Sequence, residues 1–215
     1  MEFFKRHREL SILRDGKIPY TLWQGVVSQI PLIRVLPTRV KARLRVLASL
    51  LLQEKIFTGA AGMEIKPEML VTIAAQACLP ILELGLEAYS GWRQVIVYPD
   101  AFQVDRNITD ENGVVHRQSS ALSGEAWLEG PLILSWQDVR RDSFHSSPGR
   151  NVVIHEFAHK LDMLNGRANG MPPLSPGMPI EAWTRALSEA YETLLSQSHH
   201  DSCINPYAAT NPAEF

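Results

Sequence analysis

The sequence predicts an α+β fold, and three observations carry the prediction. Helical patterns occupy residues 20–90, strand-like runs cluster between 93 and 136, and helical patterns return from 147 onward. The strands do not alternate with helices as a doubly wound sheet requires, so a small, mostly antiparallel sheet is expected. At 215 residues the chain can bury a substantial core. The expectation is a single domain over 1–215, with 1–57 as a basic helical N-terminal portion. A composition of 45% hydrophobic and 20% charged residues excludes a collagen-like chain, a disordered tail and a disulfide-dense mini-protein.

A short helix is expected over 20–29, after which Pro31 and Pro37 break the chain. A helix of roughly twenty residues starts near Thr38, because Val40, Leu44, Leu47 and Leu51 recur at three- and four-residue spacing. Arg39, Lys41, Arg43 and Arg45 fill much of its remaining surface, which reads as a solvated outer face. Gly59 and Gly62 mark a turn. Pro67 and Glu68 then open a nearly all-apolar helix through Leu79: the proline sits where no N–H partner is needed, and the acid sits where the helix dipole favours it. Gly91 ends the next helical stretch, and 93–98 reads as a strand stopped by Pro99.

The segment 101–118 is polar and turn-rich. Strand candidates at 125–128 and 132–136 flank Glu129-Gly130-Pro131, a short hairpin signal. Ser147-Pro148, a hydroxyl cap followed by proline, starts a helix to about Leu164 that Asn165-Gly166 closes. Four Pro and three Gly make 166–179 a loop. A further helix spans 180–196, and 211–215 reads as the first turn of another.

Formal net charge is −2, but it is unevenly spread. Residues 1–55 carry 11 Lys/Arg against 4 Asp/Glu, and the rest carry 10 against 19, a split of +7 and −9. The acidic balance and the lack of interleaved aromatics in the basic helix argue against direct nucleic-acid binding. Cys78 lies in an apolar run and reads as core; Cys203 has no neighbour at thiolate-site spacing. The apolar stretch 69–86 contains Thr72, Gln76, Pro80 and Glu83, so it is a buried helix and not a membrane span. No apolar run suited to a signal peptide opens the chain. The reading is a soluble, cytoplasmic protein.

The sharpest feature is His155-Glu156-Phe157-Ala158-His159. Two histidines at i and i+4 lie one turn apart on one helix face, so both imidazoles can reach the same ion. Glu156 sits about 100° around the helix from His155, beside the ion and able to take a proton from an activated water. Zinc suits this task, since two His and one carboxylate leave a fourth position open. A metzincin would carry Gly and His three and six residues after the second His; Asp162 and Asn165 stand there instead. The third ligand is therefore a downstream Glu. Glu181, Glu189 and Glu192 lie on a helix rich in solvent-type residues, and Glu214 lies just after a loop bearing Tyr207. His145, the His199-His200 pair and Arg140-Arg141 read as solvated surface.

Five segments, CLPILELGL (78–86), VIVYPDAF (95–102), GPLILSW (130–136), HEFAHKLD (155–162) and YAATNPAE (207–214), resemble in this order the Mlc titration factor A family. The resemblance runs from about Ile30 to the last residue. It implies a zincin-like metallopeptidase fold, similar to the catalytic domain of anthrax lethal factor, with an HExxH active-site helix. It implies zinc on His155, His159 and Glu214, Glu156 as the catalytic carboxylate, and Tyr207 as the donor to the oxyanion. His116 matches a histidine that approaches the metal and would fill its open position at rest. The implied activity is aminopeptidase cleavage of a peptide substrate. The implied partner is a glucose-responsive, Mlc-type transcriptional repressor, and the alternative is a non-catalytic regulatory protein that sequesters it; the +7 N-terminal region, with Arg39, Arg43 and Arg45, is the candidate docking face. The family pattern continues past the residue matching Glu214, so the C-terminal helices are expected to be missing and Glu214 to be weakly held.

Overall fold

The computed structural model describes residues 17–109, 115–122, 124–126, 130–145, 149–166, 168–196 and 204–215, the strands between 102 and 126 by backbone alone. Three helices open it: α1 (Tyr20–Val27), α2 (Pro31–Arg34) and α3 (Thr38–Glu54). Pro31 is the first residue of α2 and Pro37 immediately precedes α3, so each proline starts a helix, where its missing N–H costs nothing. On α3, Leu44, Leu47, Ala48 and Leu51 turn inward as their spacing predicts, and Arg39 and Arg43 stay outside. Arg43 pairs with Glu83 at 2.7 Å. Arg45 departs from the expected solvated face. Its guanidinium donates to the Ile18 carbonyl at 2.9 Å and lies over the Tyr20 ring, tying α3 to the segment ahead of α1.

Helix α4 (Pro67–Ala77) is buried on nearly every side from Met69 onward, as an all-round apolar helix must be. Cys78 follows it and is fully buried. The strands are β1 (Ile56–Gly59), β2 (Gln94–Tyr98), β3 (Phe102–Thr109), β4 (Val115–Leu122), β5 (Gly124–Ala126) and β6 (Leu132–Ser135).

The main sheet corrects the expectation of a mostly antiparallel arrangement. Its order is β1-β2-β6-β5, with β1–β2 and β2–β6 parallel and β5–β6 antiparallel. The cause lies in the connections. Ile56 stands opposite Gln94 and Val95 opposite Leu132, so each parallel pair is joined by a segment long enough to return the chain to the same end of the sheet. The expected hairpin is the β5–β6 pair; residues 127–129 lie outside the described residues. Strands β3 and β4 form a separate antiparallel ribbon where turns are expected, with Phe102 opposite Leu122 and Thr109 opposite Val115.

Helix α5 (Trp136–Phe144) follows β6 directly, and the sequence reading does not anticipate it. Its start is nonetheless written in the sequence: Ser135 Oγ accepts the Asp138 amide at 3.2 Å, a Ser-x-x-Asp cap. Helix α6 (Val152–Asp162) is capped by Asn151; Ser147-Pro148, the expected start, lies outside the described residues. A 3₁₀ turn, Met163–Asn165, continues it, and Gly166 at φ 103° ends it in the left-handed conformation glycine tolerates. Helix α7 spans Ile180–Ser196. At the end of the chain stand a 3₁₀ turn, Pro206–Ala209, and a hydrogen-bonded turn over 211–214 in place of the expected helix start. No helix among the described residues is long and apolar enough to cross a membrane.

Trp23, Leu44, Ile73, Val95, Leu134 and Phe157 belong to one apolar core, so the N-terminal helices, the sheet and α6 pack together. Within it Tyr89, Trp92 and Phe157 meet edge to face at 5.2–6.1 Å between centroids. Two buried lysines lie over the Trp92 ring, Lys55 at 4.1 Å and Lys160 at 4.9 Å. Lys55 donates to the carbonyls of Tyr89 and Trp92. Burial lowers its pKa from 10.5 to about 8, with Glu54 opposing and Arg93 adding to the effect. The folded chain therefore binds fewer protons than the unfolded chain between about pH 8 and 10.5, and Lys55 contributes stability that grows as pH rises through that window. Cys78 and Tyr89, whose pKa values burial raises, act in the opposite sense above about pH 9, so the urea midpoint of the wild type is expected to rise from pH 8 to 10 relative to that of Lys55→Met. An identical slope in the variant would remove Lys55 from the effect.

Candidate metal centre

Helix α6 is fixed at its N-terminus by side chains that satisfy its free amides. Asn151 Oδ1 accepts the Ile154 amide at 3.0 Å and Asp142 Oδ2 accepts the Val152 amide at 3.0 Å. Asn151 in turn donates to Gln76 Oε1 at 2.6 Å, and Gln76 donates to Ser143 Oγ at 2.7 Å. A largely buried polar chain thus runs from Ser143 on α5 through Gln76 on α4 to the start of α6. Of its members the sequence reading names only Gln76, as a polar residue in an apolar stretch. Asn151, three residues ahead of Ile154, has the spacing of a helix cap, close behind the stronger Ser147-Pro148 signal. Asp142 is held by Arg141 at 3.0 Å and Arg150 at 3.5 Å.

With its start fixed, α6 sends Val153 and Phe157 into the core and turns His155 and His159 toward the C-terminal segment. The two imidazoles meet with their Nε2 atoms 3.0 Å apart. Glu214 reaches them from the turn over 211–214, which Asn211 holds by accepting the Ala213 amide at its side chain and the Glu214 amide at its carbonyl. Glu214 Oε2 lies 2.9 Å from His155 Nε2 and 3.4 Å from His159 Nε2. The two imidazoles, His155 foremost, hold the Glu214 carboxyl well below the usual carboxylate range.

This group fits a metal ion. Among the described residues His155, His159 and Glu214 offer ligand atoms that all lie within 4.8 Å of one another. The three separations of 2.9–3.4 Å bracket the edge of a tetrahedron with ligand bonds of about 2.0–2.1 Å, roughly 3.3 Å. Glu214 Oε2 is also shut off from solvent with no well-aligned hydrogen-bond donor, so a lone pair remains that a cation could accept.

The other residues expected at the site divide. Glu156 is buried on α6 between the two histidines in sequence. Tyr207 opens outward, half exposed, with its ring 6.1 Å from that of His155. Asn205 Oδ1 fixes its backbone by accepting the Tyr207 amide at 3.0 Å. Glu181, Glu189 and Glu192 are exposed on α7, away from the group that Glu214 completes. His116 lies on β4 opposite Ile108; its side chain is outside the described residues, as are His199, His200 and Cys203.

Comparison with known proteins points the same way. The family described as Glucose-regulated metallo-peptidase M90 matches residues 3–215. The chain is 41% identical to the Mlc titration factor A of Escherichia fergusonii over 197 residues, 89% of this chain and 73% of that protein. It is 41% identical to the Mlc titration factor A of Salmonella arizonae over 198 residues, 90% of this chain and 77% of the relative. The Serratia proteamaculans protein of the same name is 41% identical over 197 residues, 89% and 74% of the two chains.

Proposed function

The chain belongs to the glucose-regulated metallo-peptidase M90 family, and from that premise we propose that it is a zinc-dependent aminopeptidase with a zincin-like catalytic unit. The observation that carries this reading is the convergence of His155 and His159, on the helix bearing Glu156, with Glu214 from the C-terminal turn at tetrahedral spacing. The core shared by the N-terminal helices, the sheet and α6 supports treating these elements as one catalytic unit, and residues 1–215 are proposed as a single domain. The residues proposed to hold the ion are His155, His159 and Glu214. Bound there, zinc would supply a Lewis acid for the scissile carbonyl and lower the pKa of the attacking water toward neutrality.

The chain's own groups do the rest. Glu156 takes the proton of the attacking water as the new C–O bond forms, then gives it to the leaving amine as the C–N bond breaks. The Tyr207 phenol, whose ring stands 6.1 Å from that of His155, donates a hydrogen bond to the oxyanion of the tetrahedral intermediate. His116 is proposed as the side chain that occupies the fourth position at rest and yields it to substrate. The test is metal content together with hydrolysis of a panel of aminoacyl amides and short peptides. About one zinc per chain is expected. Turnover should disappear on chelation and return with zinc. A zinc-loaded protein inert on the whole panel would overturn the aminopeptidase reading.

The relatives' name, Mlc titration factor A, supports extending to this chain an interaction with an Mlc-type repressor, a partner that fits a cytoplasmic protein. A docking role for the basic face narrows to exposed Arg39 and to Arg43, whose ion pair with Glu83 is exposed and open to exchange, because Arg45 is engaged with Ile18 and Tyr20.

A further inference from the structure

Glu214 and the two histidines come from separate parts of the chain, and nothing in the local sequence of the 211–214 turn explains why its carboxylate stands within 3.4 Å of both imidazoles. The explanation lies on α7. Trp183, Leu187 and Tyr191 recur every four residues and so share one face of that helix. Trp183 Nε1 donates to the Gly170 carbonyl at 3.1 Å. The amides of Gly170 and Asn169 both donate to Asp162 Oδ2, Gly170 at 2.7 Å, and Asp162 is the last residue of the helix that carries the histidines. One end of the α7 face is thereby fastened to α6.

The other end is fastened to the segment that carries Glu214. Tyr191 donates its hydroxyl to the Ala209 carbonyl at 3.2 Å, and its ring meets that of Phe215, the neighbour of Glu214, at 5.5 Å. Gly170 closes the middle. It adopts φ 75°, and a Cβ there would lie 2.9 Å from Leu187 Cδ2 and 3.1 Å from the Pro212 carbonyl, so the turn after α6 touches both α7 and the 211–214 turn.

We infer that α7 is a splint that sets the position of the third metal ligand. Asp162, Trp183 and Tyr191 are positioning residues for Glu214. They touch neither the ion nor a substrate, and they raise metal affinity by presenting the carboxylate at the histidines before an ion arrives. Outer groups of this kind are worth about 10–100-fold in metal affinity at other centres. The inference rests on the metal reading above, and its test separates the two.

The experiment measures Zn²⁺ affinity by competition with a chelator for the wild type, Tyr191→Ala, Glu214→Ala and the double variant. Far-UV circular dichroism and the melting of the metal-free proteins check the fold. Tyr191→Ala is expected to weaken Zn²⁺ binding about tenfold while the helix content stays that of the wild type. In the Glu214→Ala background the same substitution should change affinity by less than about twofold, because the residue it acts through is gone. Tyr191→Phe, which keeps the ring contact and removes only the hydroxyl, should lie between. Equal tenfold losses with and without Glu214 would assign Tyr191 a general structural role and overturn the inference alone, as would wild-type affinity in Tyr191→Ala. A wild-type chain that binds no Zn²⁺ would overturn the metal reading and the splint together.

Discussion

Glu156→Gln is expected to lower kcat/KM for amide hydrolysis by about 10²–10⁴-fold, the usual contribution of a positioned general base, with zinc content unchanged. The substitution keeps the size and one carbonyl oxygen of the side chain and removes its capacity to take a proton. Metal retention follows from the geometry, since the converging ligand atoms belong to His155, His159 and Glu214 and not to Glu156. The position is buried, so an isosteric change is the appropriate one; a shorter residue would leave a void beside the histidines. Turnover and metal content should be measured on the same preparation. Activity within a few-fold of wild type would sink the assignment of Glu156 as base, and loss of zinc would recast it as a ligand.

Phe157→Ala is expected to destabilise the chain by about 3–5 kcal/mol, the range for deleting a buried phenyl ring. Phe157 is fully buried and makes edge contacts with both Tyr89 and Trp92, at 5.2 and 5.6 Å. Against a total stability on the order of 5–15 kcal/mol, such a loss leaves a marginal fold. The consequence extends to the histidines, because Phe157 anchors the side of α6 opposite them. Urea denaturation of the metal-free protein measures the loss, and Phe157→Leu should recover part of it. A cost below about 1 kcal/mol would mean that the cavity collapses and that α6 is not anchored through this ring.

The fold and the candidate site were legible to different degrees, for physical reasons. Helical periodicity located α3, α4 and α7, where apolar residues recur on one face or fill all faces. The spacing of His155 and His159 is a local property of a helix, so it could be read directly. Pairing direction could not. Whether β2 lies parallel to β1 depends on what the 34 residues between Gly59 and Gln94 do in space, and β1 itself is only four residues long beside a helix end. Strands β3 and β4 were missed because Asp105, Arg106, Asn107 and Arg117, Gln118, Ser119 suppress the hydropathy signal of a strand. Spacing leaves Glu214 one of four downstream carboxylates, the segment resemblance singles it out, and of the four it alone lies at the histidines. The network through Gln76, Asn151 and Asp142 joins residues up to 75 positions apart, a separation no local pattern encodes.

The parallel sheet has a consequence for how the chain assembles. The central strand β2 finds one neighbour 38 positions upstream, at Ile56 opposite Gln94, and the other 37 positions downstream, at Val95 opposite Leu132. Neither pair can close until a long loop has been ordered, and that entropy is spent before the ladder returns anything. During synthesis from the N-terminus, β1 and β2 emerge well before β6, so β2 waits with one ladder edge unsatisfied and Val95 and Val97 without the strand that covers their flank. The helices from α1 to α4, rich in local contacts, can form early and shelter that half-built sheet. Arrival of β6 then completes the sheet and delivers α5 and α6 behind it, so the histidines reach their final place late in folding.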